Sequence, residues 1–153
     1  MRRDGDDDPV GPPGGCPPLS MCLVEDHEEV RTQLTDLLNA NGCDVVASAG
    51  TVSSGEQLVV ELHPQVAVVD GRLPDGEGLA LCARLRSVAP DVPLILYTAQ
   101  ISAEEERVAR LLGVAAVVLK SLRMGELLDA VRCHARRDVG ERDVGEEENW
   151  STS

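Results

Sequence analysis

The sequence predicts an α/β fold, a doubly wound parallel sheet of five strands with helices on both faces. Three observations support this prediction. The length of 153 residues is typical of one domain. Hydrophobic residues make up 42% of the chain and aromatic residues only 1%, so the core must consist of Val, Leu, Ile and Ala. Five short apolar segments alternate with five amphipathic ones, which is the pattern of repeated β-then-α units.

The five predicted strands are short and almost continuously apolar, as expected for strands that are covered on both faces. They span residues 19–24, 45–49, 66–69, 92–97 and 114–119. Because a helix follows each strand and returns the chain to the same edge, the strands are expected to run parallel.

Apolar residues recur at helical spacing between the strands, most clearly in the first and last helices. The first helix carries Val30, Leu34, Leu37 and Leu38, and the last carries Met124, Leu127, Leu128, Val131 and Ala135. Helix ends are predicted at Asn41-Gly42, Ala89-Pro90 and Leu112-Gly113, where glycine or proline stops the pattern.

The two ends of the chain differ in composition from its middle. Residues 1–18 are rich in Pro, Gly and Asp, and residues 138–153 are mostly acidic and polar. Neither end has enough apolar residues to form a core, so we expect both to be disordered, with a folded domain over 19–137.

Composition also argues against several classes of function. A net charge of −13 disfavours direct nucleic-acid binding, and no apolar run is long enough for membrane insertion. The first residues lack the apolar stretch of a secretory signal, so a reducing cytoplasm is the expected location. Cysteines 22, 43, 82 and 133 each lie within an apolar pattern, and we expect them to be buried.

Polar residues follow the predicted strands at their carboxyl ends, where ligands bind in sheets of this type. They are Glu25, Asp26, Asp70, Thr98 and Lys120. Three adjacent carboxylates repel one another unless a cation neutralises them, and either a divalent ion such as Mg²⁺ or the ammonium group of Lys120 could do so. A solvated set of acids paired with Lys120, the only lysine in the chain, remains the structural alternative.

Taken together, four motifs resemble the receiver domain of two-component response regulators, in particular the branch usually fused to a helix-turn-helix output domain. The motifs are Val24-Glu25-Asp26-His27, the Val69-to-Gly78 segment, Leu96-Tyr97-Thr98-Ala99, and the segment 113–121 that contains Lys120. The resemblance extends over about 120 residues, 19–137. It implies a flavodoxin-like (βα)5 fold with strand order 2-1-3-4-5.

The resemblance also implies a metal site. Asp26 would bind Mg²⁺ directly and Glu25 through a water molecule. Asp70 and the main-chain carbonyl of Arg72 would complete the protein's share of the ligands.

Asp70 would be the phosphoryl acceptor, receiving the group from a sensor histidine kinase or a phosphotransfer protein. Lys120 would offset the charge on the transferred phosphoryl group, and Thr98 would hydrogen-bond to it. The chain would thus be a phosphoacceptor rather than a classical enzyme.

Three hypotheses follow. The first is a stand-alone, phosphorylatable receiver that signals to an unidentified downstream protein, because only sixteen residues follow Arg137. The second is a degenerate receiver that acts as a phosphorylation-independent docking or scaffold module. The third is a small hydrolase with Asp70 as nucleophile, although no general base or substrate pocket is visible in the sequence.

One position departs from the family pattern. Receivers usually carry Tyr or Phe three residues before the lysine, and this chain has Val117 there. Valine has a restricted χ1 torsion and no ring that could turn inward. We therefore expect phosphorylation to alter the fourth helix and fifth strand less than is usual.

Overall fold

The structure is a computed structural model that describes residues 18–120 and 124–136. Its strands are β1 (Leu19–Val24), β2 (Cys43–Ala49), β3 (Val66–Asp70), β4 (Arg72–Leu73), β5 (Gly76–Glu77), β6 (Leu94–Thr98) and β7 (Ala116–Leu119). Its helices are α1 (Glu28–Asn39), α2 (Val52–Leu62), α3 (Gly78–Val88), α4 (Ala103–Leu112) and α5 (Met124–His134). Apart from residue 18, the predicted arm 1–18 and tail 138–153 lie outside the described residues, so the domain limits stay a prediction.

The predicted sheet is confirmed. Five parallel strands pair in the order β2-β1-β3-β6-β7, and β4 and β5 form a separate two-stranded antiparallel hairpin. Without that hairpin the order is the predicted 2-1-3-4-5. The observed boundaries differ by about two residues, since β2 begins at Cys43 and β7 at Ala116.

Alternating side chains of the central strands pack on two opposite faces, because successive residues of a strand point in opposite directions. One face packs against α1 and α5 and contains Met21, Leu23, Val66, Val68, Ile95, Tyr97, Leu34, Leu38, Leu127 and Val131. The other packs mainly against α2 and α3 and contains Cys22, Val24, Ala67, Val69, Leu94, Leu96, Val59, Leu81 and Leu85. Each fully buried Leu or Val stabilises the fold by about 1.5–3 kcal/mol. The strands are therefore held rigidly under the residues that follow them.

Cys133, which was predicted to be buried, and Leu37, which belongs to the predicted apolar pattern of the first helix, are both exposed. Leu37 of α1 is 44% exposed, since it lies at the border of the apolar stripe whose centre is formed by Leu34 and Leu38. Cys133 of α5 is exposed because it is two residues from the buried Val131, a rotation of about 200° around the helix. Cys22, Cys43 and Cys82 are buried as predicted.

The β7 strand is less covered than its apolar sequence predicted. It is an edge strand of the sheet, and only Val118 of its four residues is buried. Its Val117 side chain lies beside α4, where an open groove of about 210 Å³ is lined by Glu106, Ala109, Arg110 and the 114–117 segment. A valine leaves this groove unfilled where a larger side chain would occupy it.

The sequence did not predict the β4–β5 hairpin, which leads from β3 to α3 and contacts the start of α2. Asp75, in its turn, accepts hydrogen bonds from the main-chain N–H groups of Val52 (2.7 Å) and Ser53 (3.2 Å) at the start of α2. These bonds lower the pKa of the Asp75 carboxyl from its ordinary value. Asp75 thus caps α2 from another part of the chain and fixes the loop that follows Asp70.

Among the described residues, no helix combines the length and the apolar character that crossing a bilayer requires.

Candidate functional site

The predicted site residues lie together at the carboxyl edge of the sheet. Val24 pairs with Val69, Asp70 with Tyr97, and Thr98 with Leu119, so the ends of four strands are level. Glu25 and Asp26 follow β1, and Lys120 follows β7. The alternation of apolar strands and helices placed these residues correctly because parallel strands all end at the same edge.

Lys120 connects two of the carboxylates. Its Nζ atom lies 3.0 Å from Oε1 of Glu25 and 3.2 Å from Oδ1 of Asp70. It also lies 5.7 Å from the centre of the Tyr97 ring, a cation–π distance. The two acids were predicted from the sequence, whereas the contact with Tyr97 was not. Lys120 therefore has a fixed position above the sheet, between Glu25 and Asp70.

Burial sets the electrostatics of Asp70. Glu25 and Asp70 are 1% and 6% exposed. Loss of water contact, with the nearby charge of Glu25, raises the pKa of Asp70, while Lys120 and the N–H of Arg72 lower it in part. Burial alone would lower the pKa of Lys120, but its hydrogen bond to Glu25 and the charges of both acids raise it overall. The pocket thus carries more negative charge than one ammonium group neutralises.

The residues present fit a divalent cation. The Oδ1 atom of Asp26 is buried and accepts no hydrogen bond from any described residue. Glu25, Asp26 and His27 each offer a ligand atom, and these atoms lie within 4.8 Å of one another. An excess of carboxylate oxygens and an unsatisfied acceptor atom are what a hard cation requires. The main-chain carbonyl of Arg72 as a ligand stays a prediction.

His27 lies in the site although the sequence pattern did not predict a role for it there. It is the N-cap residue of α1, but its side chain makes no capping hydrogen bond. Its Nδ1 atom instead lies 3.2 Å from Oε2 of Glu25 and 3.3 Å from Oδ1 of Asp26. The signal was available in the sequence, because an imidazole directly follows two acids.

Thr98 packs against the backbone that follows Asp70. Its hydroxyl donates a 3.0 Å hydrogen bond to the carbonyl of Gln100. A Cβ atom at Gly71 would overlap Thr98 Oγ1 and lie 2.7 Å from Thr98 Cβ, so only glycine allows this approach. A cavity of about 20 Å³, enough for about one water molecule, separates the 71–72 segment from the start of α4.

This fold and site define the class of protein. The chain belongs to the response regulator receiver domain family, whose family model matches residues 21–132. This match confirms the family resemblance inferred from the motifs. Receiver domains take up phosphoryl groups in two-component signal transduction.

The chain is also similar in sequence to particular response regulators. The chain is 43% identical over 123 residues to the DNA-binding transcriptional activator DevR/DosR of Mycobacterium tuberculosis, covering 80% of this chain and 54% of that protein. It is 33% identical over 121 residues to the response regulator MprA of a Mycobacterium species, covering 78% of this chain and 52% of that protein. The chain thus spans about half the length of these curated relatives.

Two solved structures show the same fold. The non-phosphorylated receiver domain of HemR from Leptospira biflexa has a TM-score of 0.71 and 28% identity, covering 81% of this chain and 99% of that one. The beryllofluoride-activated receiver domain of RstA from Klebsiella pneumoniae has a TM-score of 0.70 and 27% identity, covering 77% and 99%.

The raised pKa of Asp70 leads to a prediction about stability. The folded protein holds the Asp70 proton more tightly than the unfolded chain, whose ordinary value is 3.8. Raising the pH above that value therefore lowers the free energy of unfolding of the metal-free protein, because ionised Asp70 is less favourable in the folded state. Asp70→Asn should therefore become more stable than the parent as the pH rises above about 4. Urea titrations of both proteins in a chelator would measure the difference.

Magnesium should reverse this cost. At about a hundred times its dissociation constant the ion should add roughly 2.7 kcal/mol to the free energy of unfolding of the parent, and less to that of Asp70→Asn. Melting curves with and without millimolar Mg²⁺ test this, and identical midpoints for the parent would show that the acids do not bind the metal.

Proposed function

We propose that this receiver domain accepts a phosphoryl group on Asp70 from the phosphohistidine of a sensor histidine kinase or a phosphotransfer protein. In the transfer the P–N bond of the donor breaks as a P–O bond to the Asp70 carboxylate forms. The observation that supports this most is the buried Asp70 carboxylate, joined through Lys120 to a second buried acid. A buried acid with excess negative charge beside it is suited to a cationic cofactor. The bound cation would in turn offset the negative charge of an anionic phosphoryl group.

Mg²⁺ would be held by Asp26, Asp70 and the Arg72 carbonyl, with Glu25 acting through water. When bound, the ion supplies positive charge that offsets the charge of the phosphoryl oxygens. Lys120 supplies a second cation next to Asp70 and, through Glu25, stays in place before the donor arrives. Preformed charge of this kind requires no reorganisation during the reaction.

Thr98 would report the modification. Its hydroxyl donates to the carbonyl of Gln100. To bind the phosphoryl group, the hydroxyl would have to leave Gln100, and the segment before α4 would then lose this contact. This segment, rather than an aromatic side chain at Val117, would carry the signal.

The output of the domain is the finer part of the proposal. Among the relatives, DevR/DosR is described as a DNA-binding activator, whereas the described residues here comprise only the receiver. We propose that these residues act through contacts with an unidentified downstream protein and do not themselves bind nucleic acid.

Acetyl phosphate tests this function without a known kinase. Incubation of the chain with acetyl phosphate and Mg²⁺ should add one phosphoryl group, detected by intact mass, and addition of a chelator should prevent it. An unchanged mass at saturating donor and metal would contradict the proposal.

The docking-module alternative is supported by one observation, the open groove between α4 and Val117. A receiver without an aromatic switch residue could bind partners in the same way whether or not it is phosphorylated. We expect beryllofluoride to change amide chemical shifts around Asp70 and residues 99–102, with only small changes along 103–119.

Val117→Tyr is the matched variant for this expectation. A ring in the groove would give α4 and β7 a side chain that responds to Thr98, so shift changes along 103–119 should grow. Large changes along this segment in the parent chain would contradict the expectation, and no change anywhere would favour the docking module.

A further inference from the structure

His27 contributes a nitrogen ligand atom to the acidic pocket. Its Nδ1 atom stands 3.2 Å from Glu25 Oε2 and 3.3 Å from Asp26 Oδ1. The main-chain N–H of His27 also donates to Glu25 Oε2, at 3.2 Å, which fixes the residue relative to the acid. Three consecutive residues thus present one nitrogen and two oxygens toward a common point.

These separations suit a small transition-metal ion. With metal–ligand bonds of about 2.05 Å, neighbouring ligands of a tetrahedral site are about 3.3 Å apart.

The two oxygens of Glu25 have different partners. Oε1 accepts from Lys120 at 3.0 Å, while Oε2 faces His27. An ion on the His27 side would therefore leave the Lys120 pair intact. It would also satisfy Asp26 Oδ1, which is buried and accepts no hydrogen bond within the described parts of the chain.

We propose that His27 makes this pocket selective for divalent ions of the borderline class, such as Zn²⁺ and Co²⁺, over Mg²⁺. Imidazole nitrogen favours these ions, whereas Mg²⁺ favours oxygen ligands alone. The inference rests on the metal pocket of the proposed function and adds which divalent ions that pocket prefers. An ion bound to His27 also occupies Asp26, so it competes with Mg²⁺ for the pocket.

Calorimetric titration of the full chain with Co²⁺, and separately with Mg²⁺, tests this selectivity. The chain should carry Cys133→Ser, because the exposed thiol of Cys133 binds Co²⁺ by itself. It should also carry Cys16→Ser, because Cys16 lies outside the described residues. The buried thiols of Cys22 and Cys82 can remain, since burial raises their pKa to about 11 and about 12. His27→Ala should lose at least about tenfold in Co²⁺ affinity and less than about threefold in Mg²⁺ affinity.

His63→Ala is the matched control, because His63 Nε2 also lies beside a carboxylate, 3.4 Å from Asp91 Oδ1, but far from the pocket in sequence and topology. It should change neither affinity. His27→Asp replaces the nitrogen with oxygen and should lower the ratio of Co²⁺ to Mg²⁺ affinity while retaining Mg²⁺ binding. Since His27 is 71% exposed, neither replacement removes core packing.

An unchanged ratio of the two affinities in His27→Ala and His27→Asp would overturn the inference and leave the proposed function standing. If the parent binds neither Mg²⁺ nor Co²⁺, both the inference and the proposed function are overturned.

Discussion

Gly78→Ala should destabilise the domain by about 3 kcal/mol, the largest loss of stability that we expect from adding one methyl group. Gly78 begins α3, and its N–H donates to the carbonyl of Gly71 at 2.9 Å. A Cβ atom there would overlap the main-chain oxygen of Asp70 and lie 3.0 Å from its carbonyl carbon. Because the overlap is with main chain, no rotation of a side chain relieves it. Urea unfolding would measure the change.

Gly125→Ala is the control, since it makes the same substitution in the exposed part of α5. A Cβ atom at Gly125 meets nothing within 4 Å. Alanine is favoured over glycine inside a helix, so this variant should gain about 0.5–1 kcal/mol. Equal stability of the two variants would show that α3 does not press against Asp70 as the structure describes.

Lys120→Ala should have the second large effect, on stability and on phosphorylation together. It leaves Glu25, which is 1% exposed, and Asp70 without their shared cation. Removing one partner of a buried ion pair costs about 3–5 kcal/mol. Because Lys120 is 25% exposed, we expect the lower end of that range. Uptake of a phosphoryl group from acetyl phosphate should be lost, while Mg²⁺ should restore part of the stability.

The control for Lys120→Ala is Arg107→Ala. Arg107 pairs with Glu104 at 2.8 Å, and both side chains are exposed. Exposed pairs contribute at most about 1 kcal/mol, so unfolding and phosphorylation should both remain close to those of the parent. A Lys120→Ala protein as stable as Arg107→Ala would mean that the acids do not depend on Lys120.

Most of the fold could be predicted because burial on both faces leaves a clear pattern in the sequence. The β1, β3 and β6 strands are almost continuously apolar, and β3 and β6 end in Asp70 and Thr98 at one edge of the sheet. The edge strand β7 was misjudged because an apolar sequence does not reveal how many neighbours a strand has. Cys133 was misjudged because burial in a helix depends on the direction of each side chain, and Cys133 points toward solvent two residues after the buried Val131.

The finer geometry of the site could not be predicted from the sequence, because it depends on side-chain directions rather than on strand order. The contact of Lys120 with the Tyr97 ring joins residues from two strands. The turn of the His27 ring toward the acids depends on how α1 begins. The capping of α2 by Asp75 joins segments 23 residues apart in sequence.

The most direct test of the central claim is to locate the phosphoryl group. The parent chain, Asp70→Asn and Asp75→Asn would be treated with acetyl phosphate and Mg²⁺, and the modified residue identified by peptide mass spectrometry. Asp75 is the matched control because it lies in the loop that follows Asp70 and is exposed. The account predicts one phosphoryl group on Asp70 in the parent and in Asp75→Asn, and none in Asp70→Asn. Labelling of Asp70→Asn to the level of the parent would contradict it.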